Sequence, residues 1–173
     1  MTNYKELLPH ISTFIFDVDG VLTDGSVLLC PPDGMYRTMN TRDGYALQLA
    51  VKKGFNVAII SGGNSELVRT RLKHLGVSDV FLGCSNKIET YEKYLNDKGV
   101  SSDEILYMGD DIPDYNVMKR VGLAACPKDA AIEIKNISTY ISFMDGGKGC
   151  VRDVIEQTLR SQNKWFDSDA HEW

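Results

Sequence analysis

Cysteine and histidine are scarce in this chain, and neither is spaced for a structural metal site. The 173 residues include 4 cysteines and 3 histidines, and no two cysteines form a C-x-x-C pair. The spacings fit neither the common zinc sites nor a dense disulfide scaffold. They favour free, mostly buried thiols in a reducing compartment.

Long apolar runs and blocks of basic charge are also missing. No apolar run approaches the ~18 residues that a membrane span needs, and the first residues, MTNYKELLPHIS, do not resemble a signal peptide. The formal net charge is -5 and no Lys/Arg block stands out, which argues against nucleic acid or an anionic membrane as a partner. We therefore expect a cytoplasmic protein.

Short apolar strands alternate with helical patterns along the chain. This alternation predicts an α/β fold of the doubly wound, Rossmann-like kind, with a parallel sheet covered on both faces. Its length suits a single domain, which we place at 1–160 with a tail at 161–173. The predicted strands are Ser12–Val18, Asn56–Ile60, Asp79–Leu82, Glu104–Met108 and Val121–Ala125, and the predicted helices are Gly44–Lys53, Ser65–Leu75, Lys87–Lys98, Tyr115–Arg120 and Cys150–Leu159.

One segment after the first strand departs from this alternation. Two β-like runs, Ser26–Cys30 and Met35–Asn40, flank the turn sequence Pro31–Gly34, which predicts a hairpin. We call residues 24–40 the flap, because a hairpin here could stand over the carboxyl end of the first strand.

Two acidic clusters follow predicted strands. Asp17 and Asp19 lie in the sequence DVDGV after the first strand, and Asp110, Asp111 and Asp114 lie in GDDIPD after the fourth. Each cluster alone could be a turn or a helix start, which aspartate favours. Together, at one edge of a parallel sheet, they indicate a magnesium site, because such carboxylates repel one another unless a cation lies between them.

Two weaker signals accompany the acidic clusters. Ser61-Gly62-Gly63 follows a strand and could bind phosphate oxygens through its hydroxyl and backbone N–H groups. Lys87 begins a predicted helix and could neutralise a phosphoryl group. Alone, the first reads as an ordinary loop and helix cap, and the second as a surface lysine.

These four motifs, in this order, resemble those of the haloacid dehalogenase (HAD) superfamily of phosphotransferases. The resemblance implies that Asp17 is the nucleophile and forms an aspartyl-phosphate, and that Asp19 is the general acid and base. It implies Mg²⁺ held by Asp17, the backbone carbonyl of Asp19 and Asp110. Ser61 and Lys87 would hold the phosphoryl oxygens, and Asp111 and Asp114 would support the metal site and orient Lys87.

A closer resemblance is to the 3-deoxy-D-manno-octulosonate 8-phosphate (KDO 8-phosphate) phosphatases. It rests on Asp24-Gly25, on NTRDGY at 40–45 and on GGKGCVRD at 146–153. The segments between the motifs are too short for a cap domain, so we expect a capless, magnesium-dependent phosphatase of the lipopolysaccharide pathway. The resemblance implies a homotetramer built on the flap hairpins. The substrate-binding residues it implies are Asp19, Asn40, Thr41, Arg42, Asp43, Gly44, Gly62, Arg71 and Lys87.

Two positions depart from that family's pattern, and other functions stay open. Gly63 stands where the family often has arginine, and Gln48 stands at another position that is often basic. Phosphatases of nine-carbon keto acids, acting on 2-keto-3-deoxynononate or N-acylneuraminate 9-phosphate, are therefore an alternative. A signalling receiver domain disagrees with the order of Lys87 and the second acidic cluster. A non-catalytic assembly module would not require every catalytic position to be filled.

Overall fold

A six-stranded parallel sheet forms the centre of the molecule. The computed structural model describes residues 3–171, and for Asp169 the backbone alone is described. The strand order is β5-β4-β1-β6-β7-β8, with β1 at Thr13–Phe16, β4 at Asn56–Ile60, β5 at Asp79–Phe81, β6 at Ile105–Met108, β7 at Leu123–Cys126 and β8 at Tyr140–Ile141. Every pairing in this sheet is parallel. The predicted fold class is confirmed.

Helices cover both faces of the sheet because the strands are apolar on both sides. In β1, Phe14 and Phe16 contribute to the core on one face, whereas Ile15 contributes to the core on the other. The first face is packed by α2 (Thr41–Lys52), α3 (Glu66–His74) and α7 (Cys150–Ser161), and the second by α4 (Lys87–Lys98), α5 (Tyr115–Met118) and α6 (Ile132–Ile137). A short helix α1 (Tyr4–Leu7) precedes the sheet.

The flap forms the predicted hairpin outside the main sheet. Strand β2 (Leu28–Cys30) pairs antiparallel with β3 (Gly34–Tyr36). Leu28 is 65% exposed and Leu29 is 74% exposed. The hairpin therefore stands clear of the main core, and its apolar side chains are left largely without cover in the single chain. No helix among residues 3–171 is long and apolar enough to cross a membrane.

The tail packs partly against its own domain. Trp165 is 6% exposed, with its ring edge-on to Tyr45 and beneath the guanidinium of Arg152. Phe166 is 77% exposed. Trp173, a further aromatic residue of the predicted tail, lies outside the described residues.

Candidate active site

Asp17 and Asp110 meet at one edge of the sheet because their strands are neighbours. Phe16 of β1 pairs with Met108 of β6 in parallel register, so the residues that follow the two strands emerge side by side. The backbone N–H of Asp17 donates to the carbonyl of Met108 at 3.1 Å. The two acidic clusters of the sequence therefore form one site, at the carboxyl ends of the central strands.

Lys87 lies at the centre of this site. Its Nζ is 2.7 Å from Asp17 Oδ2 and 2.7 Å from Asp114 Oδ1, and its side chain is 5% exposed. Burial alone lowers the pKa of this ammonium, but the charges of Asp17 and Asp114 outweigh burial and raise the pKa above its usual value. Lys87 is thus a charged, fixed group that faces the predicted nucleophile.

Asp114 uses both carboxylate oxygens to organise its neighbours. Its Oδ1 accepts hydrogen bonds from Lys87 Nζ and, at 2.6 Å, from the buried hydroxyl of Tyr107. Its Oδ2 accepts from the backbone N–H of Asp110 at 3.2 Å. Asp114 is therefore already engaged by three donors, which suits a group that orients Lys87 better than one that binds a metal directly.

The carboxyl groups of Asp17 and Asp110 hold their protons unusually tightly. Burial, then the charge of Asp114, raises the pKa of Asp17 to about 6, although Lys87 opposes the shift. Burial and the charges of Asp17 and Asp114 raise the pKa of Asp110 to about 7. This is the behaviour of a carboxylate cluster with too little positive charge, and a divalent cation would reverse it.

The donor set fits Mg²⁺. Carboxylate oxygens of Asp17, Asp110 and Asp114 lie within 4.8 Å of one another. Because Asp114 is already engaged by three donors, Asp17 and Asp110 are left as the hard oxygen ligands that Mg²⁺ prefers. Asp110 Oδ1 is buried without a hydrogen-bond partner among the described residues. The close approach of Asp110 requires Gly20, which has φ +86° and whose Cβ, if present, would lie 2.0 Å from Asp110 Oδ2.

The segment predicted to bind phosphate, Ser61-Gly62-Gly63, directly follows β4. Ser61 is buried, and its Oγ accepts a hydrogen bond from the backbone N–H of Gly63 at 3.2 Å. A cleft of about 410 Å³ joins this segment to the acidic site. Of the predicted residues it is lined by Asp17, Asp19, Ser61, Gly62, Lys87, Asp110, Asp111 and Asp114. Five of these are aspartates and Lys87 is the one lysine, so the cleft itself carries excess negative charge.

The predicted substrate segment Asn40–Gly44 lies outside this cleft. Asn40 caps α2, its Oδ1 accepting from the N–H of Arg42 at 2.8 Å. The carboxyl of Asp43 is buried and its Oδ1 accepts from the N–H of Arg152 at 2.7 Å, so within the single chain Asp43 joins α2 to α7. Thr41 is exposed at the start of α2.

Two predicted arginines also lie away from the catalytic residues. Arg42 lines a separate surface cavity beside α7, together with Lys148 and Arg152. The guanidinium of Arg71 lies against Gly44, whose added Cβ would be 3.0 Å from Arg71 Nη2. Within one chain, therefore, the structure does not bring these predicted substrate residues to Asp17.

One predicted contact is wrong in part, and two residues were missed. Asp111 was expected to help orient Lys87, but its exposed Oδ1 accepts from the N–H of Ile112 at 2.8 Å, and Asp114 makes the contact with Lys87. Tyr107 lies within the predicted strand Glu104–Met108 and is buried in the core, but its hydroxyl also donates to Asp114. Arg37 of the flap forms an ion pair with Asp19, and no motif in the sequence indicated it.

Comparison with known proteins finds relatives that are similar over most of the chain. Residues 79–149 match the family model of haloacid dehalogenase-like hydrolases. The chain is 34% identical over 170 residues to the 3-deoxy-D-manno-octulosonate 8-phosphate phosphatase KdsC of Salmonella typhimurium, covering 94% of this chain and 90% of that protein.

Solved structures of similar proteins share the fold. The Yersinia pestis 3-deoxy-D-manno-octulosonate 8-phosphate phosphatase superimposes with a TM-score of 0.91 at 31% identity, covering 94% of this chain and 88% of the other. The corresponding Moraxella catarrhalis phosphatase, solved in complex with a magnesium ion, a phosphate ion and KDO, gives 0.90 at 31% identity, covering 94% of each chain.

Proposed function

The chain belongs to the 3-deoxy-D-manno-octulosonate 8-phosphate phosphatases, and on that premise we propose that it hydrolyses KDO 8-phosphate to KDO and phosphate through an aspartyl-phosphate on Asp17. One observation carries the chemistry: Lys87 Nζ lies 2.7 Å from Asp17 Oδ2 in a cleft lined by oxygen ligands. A phosphate monoester is a dianion that repels a carboxylate nucleophile, so a positive charge must lie beside both.

In the first step Asp17 attacks phosphorus and the bond to the sugar oxygen breaks. Lys87 offsets the charge of the phosphoryl oxygens, and Ser61 together with the N–H groups that follow it binds them. Asp19 gives its proton to the leaving alkoxide, which departs as the free sugar alcohol. Covalent catalysis divides one difficult displacement into two easier ones.

In the second step Asp19 takes a proton from water as that water attacks the phosphorus of the aspartyl-phosphate. Phosphate leaves and Asp17 returns to its carboxylate form. The same group serves as acid and then as base because it has lost its proton in the first step. Lys87 stays in place throughout because it also donates to Asp114, whose carboxylate is itself held by the hydroxyl of Tyr107.

Magnesium would be held by Asp17, Asp110 and the backbone carbonyl of Asp19. When bound, it supplies positive charge that lets carboxylates and a phosphate dianion occupy one small cleft. The buried, unpartnered Oδ1 of Asp110 supports this ligand set. The relative from Moraxella catarrhalis, solved with a magnesium ion, supports magnesium as the cation.

We further propose that four copies of the chain assemble and complete one another's sites. Two observations support this. The apolar side chains of the flap are exposed in the single chain, and the predicted substrate segment Asn40–Gly44 lies outside the chain's own cleft. Sedimentation of the purified protein at micromolar concentration tests the tetramer, which a monomeric, fully active enzyme would contradict. A cytoplasmic location stays a prediction.

Release of phosphate from a panel of sugar phosphates tests the activity. The panel contains KDO 8-phosphate and the 9-phosphates of 2-keto-3-deoxynononate and N-acylneuraminate, each with Mg²⁺ and with EDTA. We expect strong, magnesium-dependent preference for KDO 8-phosphate. Preference for a nine-carbon ester would keep the mechanism and change the substrate, and no release from any ester would favour the non-catalytic assembly module.

A further inference from the structure

Arg37 places its guanidinium on the predicted acid and base of the reaction. Its Nε is 2.6 Å from Asp19 Oδ1 and its Nη2 is 3.0 Å from Asp19 Oδ2. The side chain of Arg37 is 8% exposed, although its backbone belongs to the flap. The flap therefore reaches the reaction centre through this one charged side chain.

This two-pronged ion pair does not match the task of Asp19 during turnover. To protonate a leaving alkoxide, Asp19 must present an O–H to the substrate, yet both of its oxygens face N–H donors of Arg37. A carboxylate that accepts a charge-assisted hydrogen bond on each oxygen has both oxygens turned toward the guanidinium and away from the substrate. Proton transfer to the substrate therefore requires Arg37 to release at least one oxygen.

Arg37 can release Asp19 only if another anion takes its place. A guanidinium that is almost fully shielded from water loses stabilisation when it leaves its partner unpaired. The other carboxylates that line the cleft already have contacts or roles. They bind Lys87 (Asp17 and Asp114), accept from a backbone N–H (Asp111), or are proposed to hold magnesium (Asp110). The replacement must come from the substrate.

The substrate class of the proposed function carries two anionic groups, a phosphate and a carboxylate. Lys87, Ser61 and the metal ligands account for the phosphate. The carboxylate belongs to the leaving sugar acid, at the end of the carbon chain opposite the oxygen that Asp19 must protonate. A planar guanidinium binds one carboxylate as well as another in the same two-pronged geometry.

Gly63 leaves the space that this exchange needs. An added Cβ at position 63 would lie 3.1 Å from Asp19 Oδ2 and 3.5 Å from Arg37 Nη2. A longer side chain there would compete with Arg37 for the same volume. The flap arginine can thus occupy this place because position 63 has no side chain.

We propose that Arg37 is a substrate-binding residue that exchanges the carboxylate of Asp19 for the carboxylate of the sugar acid. No covalent bond changes in this exchange, in which one ion pair replaces another. The exchange frees the carboxylate of Asp19 to take a proton from solvent and to transfer that proton to the leaving oxygen. Esters without the carboxylate leave Arg37 on Asp19 and are turned over slowly. This inference rests on the proposed function.

A thermodynamic cycle that combines an Arg37 substitution with removal of the substrate carboxylate tests the proposal. The value of kcat/KM is measured for KDO 8-phosphate and for its C1 carboxamide with the wild-type enzyme, Arg37→Ala and Arg37→Lys. Arg120→Ala is the matched control, because Arg120 forms an exposed ion pair with Glu92 away from the cleft. Calorimetry of KDO binding in the presence of Mg²⁺ adds a readout that does not depend on turnover.

The wild-type enzyme and Arg120→Ala are expected to prefer the carboxylate over the carboxamide by on the order of 100-fold. In Arg37→Ala this preference should fall to about twofold or less, chiefly because kcat/KM for the carboxylate substrate decreases. The affinity for KDO should decrease in parallel. Arg37→Lys should retain part of the preference, since it keeps the charge but not the paired geometry.

An equal loss for both esters in Arg37→Ala, with KDO affinity unchanged, would overturn the proposal and leave Arg37 as a group that only positions Asp19. A wild-type enzyme that hydrolyses neither ester would instead overturn the proposed function, and this inference with it. Thermal unfolding of each variant shows whether the fold is kept.

Discussion

The side-chain nitrogen of Lys87 lies 2.7 Å from Oδ2 of Asp17, the carboxylate proposed to attack phosphorus. The lysine is the first residue of α4, and the aspartate directly follows the last residue of β1. Burial of either charged side chain alone would be unfavourable, because charged side chains are rarely buried without a partner. In a site that must bring a carboxylate and a phosphate dianion together, the ammonium of Lys87 offsets their mutual repulsion.

Replacement of the nucleophile should abolish turnover without unfolding the protein. Asp17→Asn keeps the size of the side chain but removes the attacking charge, so kcat should fall by at least about 10³-fold. Thermal unfolding should show a folded protein, since Lys87 keeps its contact with Asp114. Full activity in this variant, with deamidation excluded by mass spectrometry, would contradict the mechanism.

Loss of the Asp110 carboxylate should weaken magnesium binding. We expect Asp110→Asn to raise the Mg²⁺ concentration needed for half-maximal activity by at least about 10-fold. Asp103→Asn, at an exposed position away from the cleft, serves as the control and should leave the magnesium dependence unchanged. The same magnesium dependence in both variants would argue against Asp110 as a ligand.

Two tyrosines form a matched pair for the hydroxyl that binds Asp114. Tyr107 and Tyr94 are both buried, but Tyr107 donates to Asp114 Oδ1, whereas the hydroxyl of Tyr94 has no partner among the described residues. Tyr107→Phe should lower the free energy of unfolding by about 1–2 kcal/mol, and Tyr94→Phe should leave it unchanged or raise it. Denaturant unfolding of the two variants measures the difference, and equal effects would show that the Tyr107 hydrogen bond contributes little.

Magnesium binding should strengthen as the pH rises through the range in which the site ionises. In the protein without metal, the pKa of Asp17 is raised to about 6 and that of Asp110 to about 7. Both groups bind protons more tightly folded than unfolded, so between about pH 4 and pH 7 the metal-free protein should lose stability as pH increases. Mg²⁺ binds the ionised carboxylates and opposes this loss.

Thermal unfolding with EDTA and with excess Mg²⁺ measures this effect. The increase in Tm caused by Mg²⁺ should be small at pH 5 and grow toward pH 7.5, since the cation must displace protons at low pH. A magnesium-induced Tm increase that is independent of pH would contradict the assignment of Asp17 and Asp110 as ligands.

The sequence predicted the regular parts of the fold well because they depend on local patterns. Helix α4 has the predicted bounds Lys87–Lys98, and Gly99, with φ +66°, ends it in the left-handed conformation that glycine readily adopts. Helix α6 and strand β8 were not predicted. Six residues in Ile132–Ile137 and two in Tyr140–Ile141 are too few for a periodic pattern to show.

The site was predictable to the extent that strand ends determine it. The parallel sheet brings Asp17, Ser61 and Asp110 to one edge, which follows from strand order alone. The contact between Arg37 and Asp19 depends on how the flap folds back over the sheet, and periodicity carries no information about that. The hydroxyl contact of Tyr107 was likewise hidden, because a tyrosine inside an apolar strand looks like any other core residue.

Chemical trapping of the phosphorylated enzyme is the most direct test of Asp17 as the nucleophile. The enzyme is mixed with KDO 8-phosphate and Mg²⁺ and quenched during turnover with borohydride, which reduces an acyl phosphate to an alcohol, and the peptides are sequenced by mass spectrometry. We expect homoserine in place of Asp17 in wild-type enzyme mixed with substrate, and not in samples that contain EDTA. Rapid turnover with an unmodified Asp17, or with the modification at another aspartate, would contradict it.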